Sequence, residues 1–233
     1  AAGKFGLSPS KVLEITQNLR DEFRAISYNR SNNRYLSEDR HAEAPELIAL
    51  IGKYNPDFTK GCDPSLKSKA FNTNKVEAHH AIIPTVSVPA PGDLSEEQNQ
   101  VYGLIVSLYL AQFYPPERYR TTTIIFAIDH HQFKATGRVD QARGWRALLN
   151  DEGVDSADDI ERLDLESLIV GDQAMVLESE ATQHFTKPPA LYTMKTLLLD
   201  LTRVAKYVTD PGIKQLLLEK DADSKDESGG IGT

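Results

Sequence analysis

A chain of 233 residues, 40% hydrophobic and 26% charged, is long enough to bury one large or two small cores and has the make-up of a folded globular protein. Its single cysteine, Cys62, excludes an internal disulfide and suits a reducing compartment, and its longest apolar stretch, Leu104 to Leu110, is too short to span a bilayer. The net charge of −8 argues against a nucleic-acid partner until it is mapped: residues 1–90 carry 12 Lys/Arg against 10 Asp/Glu, while residues 151–233 carry 8 against 18.

Ser8 before Pro9 reads as an N-cap and first helical residue, and Val12, Leu13, Thr16, Leu19 and Phe23 mark the buried face of the helix that follows. Ala25 to Tyr28 is a short strand-like run. A second helix is predicted over about Glu38 to Tyr54, with Pro45 able to break it. Residues 55–77 read as a polar loop with short helical pieces. Leu94-Ser-Glu-Glu97 opens a third helix whose predicted buried face is Val101, Leu104, Ile105 and Leu108. Pro115-Pro116 ends this region.

The texture then changes. Thr121 to Ile128 and Gln132 to Val139 are rich in β-branched and aromatic residues and flank Asp129-His-His131, which predicts a hairpin. Residues 150–167 are acidic and read as a solvated helix or loop. Leu168 to Thr182 suggests a further strand pair broken near Gly171-Asp172. Tyr192 to Tyr207 reads as a helix, and Asp210-Pro211 caps another reaching about Glu219. The stretch from Asp221 to Gly230 is polar. Strands and helices are segregated rather than alternating, which argues against a doubly wound fold. The expected fold is multidomain, with α and β parts.

The chemistry concentrates in Ala25-Ile-Ser-Tyr-Asn-Arg-Ser-Asn-Asn-Arg-Tyr-Leu-Ser-Glu-Asp39. Tyr28 is followed two residues later by Arg30, on the same side if the run is extended. A phenol beside a guanidinium can attack a phosphodiester and hold the charge that develops. Taken alone, a tyrosine at a strand end is a core residue with its hydroxyl on the rim, and a lone arginine is a surface ion-pair partner. His79 and His80 alone are equally consistent with structural histidines. Asp129-His-His131 follows an apolar strand as in the DHH phosphoesterases, but the further acidic and histidine motifs of such a site are missing, so it reads as a turn. Asp221-Ala-Asp223 follows a helix end and reads as solvated.

Three other segments accompany the tyrosine motif: Glu77-Ala-His-His-Ala-Ile-Ile-Pro-Thr85, Glu97 through Phe113, and Phe185-Thr-Lys-Pro-Pro-Ala-Leu-Tyr-Thr193 with the terminal Gly230-Ile-Gly-Thr233. With Tyr28-Asn-Arg-Ser31 and Arg34-Tyr-Leu-Ser-Glu-Asp39, these resemble the type IA DNA topoisomerases, and most of all their topoisomerase III branch, including plasmid-borne relatives. The resemblance runs in order over nearly the whole chain and is weakest at 150–182.

The resemblance implies that Tyr28 attacks one DNA strand, forms a 5′-phosphotyrosine bond, lets a second strand pass and reseals without ATP. It also implies that Arg30 steadies the developing charge and that His79 contacts the scissile phosphate or orients the tyrosine. Ser31, Asn32, Arg34 and His80 are the implied DNA-binding residues. Two departures stand out. Ser31-Asn32-Asn33 replaces the family's Thr-Asp-Ser, so Asn32 removes a carboxylate, and Asn29 stands where proline or methionine is common.

In the family a glutamate and an Asp-x-Asp pair on an N-terminal toprim domain bind Mg²⁺. Nothing in this chain matches that set, so no metal site is expected within it. The chain opens at Ala1 rather than a methionine and is expected to be a central fragment, inactive alone in relaxation, whose partners are single-stranded DNA and the toprim domain of the same protein. No membrane partner is expected, and the implied location is the bacterial cytoplasm, at nucleoid or plasmid.

The implied division is a helical domain with the catalytic tyrosine over 1–114, a β-rich arch or hinge segment over 115–190, and the start of a helical DNA-binding base over 191–233. The competing readings are a tyrosine relaxase, whose His-x-His cluster is absent, a tyrosine recombinase, whose Arg/His/Arg set would precede the tyrosine, and a single-stranded-DNA-binding or scaffold module.

Overall fold

The computed structural model describes residues 1–76, 78–149, 165, 167–178, 180 and 182–220. The acidic run 150–164, the polar stretch 221–230, Asp221-Ala-Asp223 and Gly230–Thr233 lie outside the described residues. The chain divides into two compact units, one of residues 1–14 with 180–233 and the other of residues 15–179.

In the smaller unit, α1 (Ala2–Phe5) precedes the start of α2 (Pro9–Asp21), where Ser8 Oγ accepts from the Lys11 amide at 3.1 Å, the cap read from the sequence. Its C-terminal elements are described last: α7 (Met194–Leu201), a 3₁₀ turn over Val204–Tyr207 and α8 (Pro211–Lys220). The single helix expected over Tyr192 to Tyr207 is thus shorter and interrupted at Thr202-Arg203. Asp200 receives Tyr192, Tyr207 and Lys206 together. Lys206 above all, with the two hydroxyls, holds the Asp200 carboxyl down to about 2.

The boundary between the units falls within α2. In the larger unit, its second half buries Ile15, Thr16 and Leu19, whereas Leu13 is 45% exposed. The buried stripe is therefore rotated from the one expected, with Ile15 in the place given to Leu13. The helical stretch near Pro45 is broken as anticipated, into α3 (Asp39–Ala42) and α4 (Ala44–Tyr54), because proline removes an amide and crowds the preceding turn. The loop after it holds α5 (Pro56–Thr59) and a 3₁₀ turn at Thr73–Lys75.

Helix α6 (Glu96–Leu110) begins with a capping box: Gln98 N donates to Ser95 Oγ and Ser95 N donates to Gln98 Oε1. It buries Val101, Tyr102, Val106, Ser107, Tyr109 and Leu110 and leaves Leu108 49% exposed. Leu104 and Ile105 are only half-buried, so the expected face is corrected here too. The helix is apolar on most sides, and periodicity cannot choose among its faces. A 3₁₀ turn (Ala111–Phe113) delivers Phe113, fully buried, against Phe71, Tyr109 and His41 at ring-centroid distances of 5.6, 5.2 and 5.9 Å. This aromatic cluster is the centre of the larger unit's core.

The hairpin forms as β1 (Arg118–Ile128) and β2 (His131–Ala142), an antiparallel two-stranded sheet with Ile128 opposite His131. Its loop is the pair Asp129-His130, with Asp129 in the left-handed region at φ 52°, where aspartate is better tolerated than most residues. His131 is thus a strand residue rather than part of the turn. At the base, Arg138 pairs with Glu117 and with Asp140 at 2.7 Å, and its guanidinium lies 4.0 Å from the Tyr119 ring centroid. Gly144 (φ 51°) then turns the chain back so that Trp145 N donates to Pro115 O at 3.1 Å. The strand pair expected between Leu168 and Thr182 does not form among the described residues, which are exposed and turn only near Gly171. The mixed α and β character is borne out, and among the described residues its β part is the hairpin and two isolated bridges.

Candidate functional site

The Tyr28 segment is placed by what precedes and what flanks it. After α2, Arg24 adopts φ 54° and Ala25 N donates to Leu19 O at 2.8 Å, which closes the helix end and reverses the chain. Ala25 and Ile26 are then buried, and Ile26 forms an isolated antiparallel bridge with Pro84. The bridge is made by its neighbours: Ser27 N donates to Ile83 O at 2.9 Å and Thr85 N to Ala25 O at 3.0 Å. Pro84 occupies the position where this pairing asks for no amide, so its missing N–H costs nothing.

Ser27 ties the two segments again through its side chain. Its hydroxyl donates to Ala81 O at 3.2 Å and accepts from Ile83 N at 3.0 Å. Tyr28 leaves this pairing half-buried, with its ring against the His79 imidazole at a centroid distance of 4.3 Å and a tilt of 37°. The Ala25–Tyr28 run, which forms an isolated bridge rather than a strand, and the Ala-His-His-Ala motif, about fifty residues apart in sequence, meet at the tyrosine.

Beyond Tyr28 the chain is pinned by amides. Asn29 is buried and its Nδ2 donates to Thr16 Oγ1 on α2 at 3.4 Å. Asn33 Nδ2 donates to Lys75 O at 2.9 Å, while its Oδ1 accepts from Tyr35 N at 2.7 Å, an Asx turn that redirects the chain. Leu36 then bridges to Phe71 in parallel, and Ala81 N donates to Tyr35 O at 2.9 Å. Asn33, beyond the expected set, is thus a structural anchor.

The remaining expected residues are placed as follows. Arg30 and Asn32 are exposed and make no hydrogen bond or ion pair among the described residues. Ser31 Oγ accepts from Asn33 N at 3.2 Å. Arg34 is exposed, and with Ser31 and Asn33 it lines a cleft of about 540 Å³ floored by Ile82, Ile83 and Leu108. His79 is exposed, whereas the Nδ1–H of His80 donates to Ala81 O at 2.7 Å, turning that ring toward the backbone. The structure therefore brings Tyr28 and His79 together and leaves Arg30, two residues on, exposed.

One cation close to the phenol escaped the sequence reading. Arg20, in the last turn of α2, holds its guanidinium carbon 4.9 Å from the Tyr28 ring centroid. Only the turn at Arg24, a left-handed residue that is not glycine, brings it there, and no sequence pattern marks that turn. Among the described residues no group of three His, Cys, Asp or Glu side chains could hold a metal ion. No helix among them is long and apolar enough to cross a membrane.

Chemically, the arrangement offers a half-exposed phenol, an imidazole at its ring, and arginines at positions 20, 30 and 34 on the same segment or its supporting helix. That set suits attack on a phosphodiester and recognition of phosphate oxygens.

A family model described as DNA topoisomerase matches residues 1–233. DNA topoisomerase 3 of Vibrio cholerae is 36% identical over 226 residues, covering 95% of this chain and 34% of that protein. The enzyme of the same name from Pasteurella multocida is 37% identical over 224 residues, with the same coverage of each chain. DNA topoisomerase 3 of Bacillus cereus is 31% identical over 236 residues, covering 99% of this chain and 32% of its own length. Among solved structures, full-length topoisomerase I from Thermotoga maritima aligns over 70% of this chain and 27% of its own, at 23% identity and a TM-score of 0.46. The chain spans about a third of the length of the curated relatives it matches.

Proposed function

The chain belongs to the DNA topoisomerase family, and from that membership we propose that it is the tyrosine-bearing section of a type IA enzyme that opens and reseals one DNA strand without ATP. The observation that carries this reading is Tyr28, which follows the bridged Ile26 and is set against His79 at 4.3 Å. In the proposed step the Tyr28 oxygen bonds to phosphorus and gives up its proton, while the bond from phosphorus to the 3′ oxygen breaks and that oxygen takes up a proton. The 5′-phosphotyrosine keeps the phosphodiester's energy, so resealing is the same exchange in reverse.

Arg30, exposed two residues on, would grip a non-bridging phosphate oxygen as charge develops, and His79 would orient the phenol or donate to the phosphate. Ser31, Asn32, Arg34 and His80 would face the strand around that phosphate. The asymmetric charge supports this, because the acidic excess lies in 151–233 and not around Tyr28.

The relatives' greater length supports reading this chain as one section of a longer polypeptide, in which a toprim domain supplies Mg²⁺. Residues 1–114 would then be the tyrosine domain, 115–190 an arch or hinge segment, and 191–233 the start of the DNA-binding base. Alone, the section would bind single-stranded DNA weakly and relax no supercoils.

The test is made in the protein that carries this chain. With a labelled single-stranded oligonucleotide, it should leave a denaturation-resistant protein–DNA adduct, and Tyr28→Phe should abolish the adduct while DNA binding persists. An adduct that survives Tyr28→Phe would falsify the assignment.

A further inference from the structure

Two side chains on one face of α2 reach the Tyr28-Asn29 pair. Thr16 and Arg20 are four residues apart on the helix and so are stacked one turn above the other. Thr16, buried, accepts from the Asn29 amide at 3.4 Å, and Arg20 lies over the Tyr28 ring at 4.9 Å. Arg20 Nη1 also donates to Asp21 Oδ1 at 3.1 Å, which steers the guanidinium without burying it, since 42% of its side chain remains exposed. The helix thus fixes Asn29 through its side-chain amide and meets the neighbouring phenol with a cation.

We propose that Arg20 is a positioning residue for Tyr28, holding the phenol ring in place against His79 by a cation–ring contact. The proposal rests on Tyr28 being the DNA-strand nucleophile. A tyrosine at the end of an isolated bridge keeps two free side-chain torsions, and productive attack needs its oxygen in line with phosphorus at close range. A cation over the ring face narrows those torsions without occupying the oxygen. Arg30 cannot do this from where it stands, being exposed and without a partner among the described residues. The two arginines divide the work: Arg20 acts on the ring, and Arg30 remains available to the phosphate.

Arg20→Gln, Arg20→Lys and the unchanged protein would be compared for single-turnover adduct formation on a labelled oligonucleotide, with binding measured separately by fluorescence anisotropy. Arg20→Gln should slow adduct formation about two- to five-fold, the range a partly exposed cation–ring contact supports, with oligonucleotide affinity unchanged. Arg20→Lys should recover most of the rate, because a cation returns to the ring face. Full rate in Arg20→Gln, equal loss in both variants, or a loss confined to affinity overturns the proposal.

A second readout does not depend on activity. The side-chain protons of Arg20 should show an upfield ring-current shift in the NMR spectrum that disappears in Tyr28→Leu, and its absence from the unchanged protein also overturns the proposal. An unchanged protein that shows the shift but forms no adduct overturns the nucleophile reading, and this proposal with it. Normal adduct formation in Arg20→Gln overturns this proposal alone.

Discussion

The segment around Tyr28 and the 118–142 hairpin are both extended chain, yet they are held in opposite ways. The hairpin is a ladder of eleven register pairs between residues close in sequence, ten of them in unbroken register and the eleventh, Arg118 with Ala142, set off by a shift beside Tyr119. The Tyr28 segment has a single bridge, to Pro84, and a second further on, from Leu36 to Phe71. Side chains do the rest, with Ser27 tied to Ala81 and Ile83, Asn29 to Thr16, and Asn33 to Lys75. A ladder spreads the effect of any one change over many bonds. A segment pinned at a few separate points passes each loss directly to the side chain it carries.

That contrast can be broken or sharpened by substitution. The largest effect should come from the core beneath the site. Phe113→Ala removes the ring that touches Phe71, Tyr109 and His41, and should cost about 3–5 kcal/mol in urea unfolding. Next is Gly144→Ala at the hairpin's return, where φ is 51° and an added Cβ would run into the Pro115 and Pro116 backbone. A loss of about 2–4 kcal/mol is expected there, and an unchanged unfolding midpoint would show that the return is not held as described.

Ser27→Ala should cost less, about 1–3 kcal/mol, because it deletes both bonds of the hydroxyl, the one to Ala81 O and the one from the Ile83 amide. It should also slow adduct formation at Tyr28, which Phe113→Ala does only by unfolding the unit. The smallest effect is expected from Ile125→Thr on the ribbon, where the side chain is 62% exposed and the ladder bonds are untouched. Its stability change should stay within about 0.5 kcal/mol. Should Ile125→Thr and Ser27→Ala weaken the protein equally, the distinction between ladder and pins would collapse.

The same distinction governs what the sequence could reveal. The hairpin was legible because its signals are local: β-branched runs on either side of a turn. The cap at Ser8, the start of a helix near Leu94–Glu97 and the break at Pro45 were legible for the same reason. The faces of α2 and α6 were misread at Leu13 and Leu108, where apolar residues on several sides left the choice to tertiary packing. Tyr28 and His79 were paired in advance by resemblance to a family, and not by any spacing rule. Ser27, Asn33 and Arg20 were out of reach, since each acts through a long-range contact or through the left-handed turn at Arg24 that no residue type announces.

Pro84 has a consequence for the unfolded chain as well as the folded one. Its ring sets φ before any contact is made, so the Ala81–Thr85 stretch has fewer conformations to give up when it meets Ala25–Ser27. The entropy that would oppose re-forming the pairing is thereby reduced at the residue facing Ile26. A tyrosine hung from that pairing therefore has one torsion of its supporting stretch fixed in advance whenever the pairing forms.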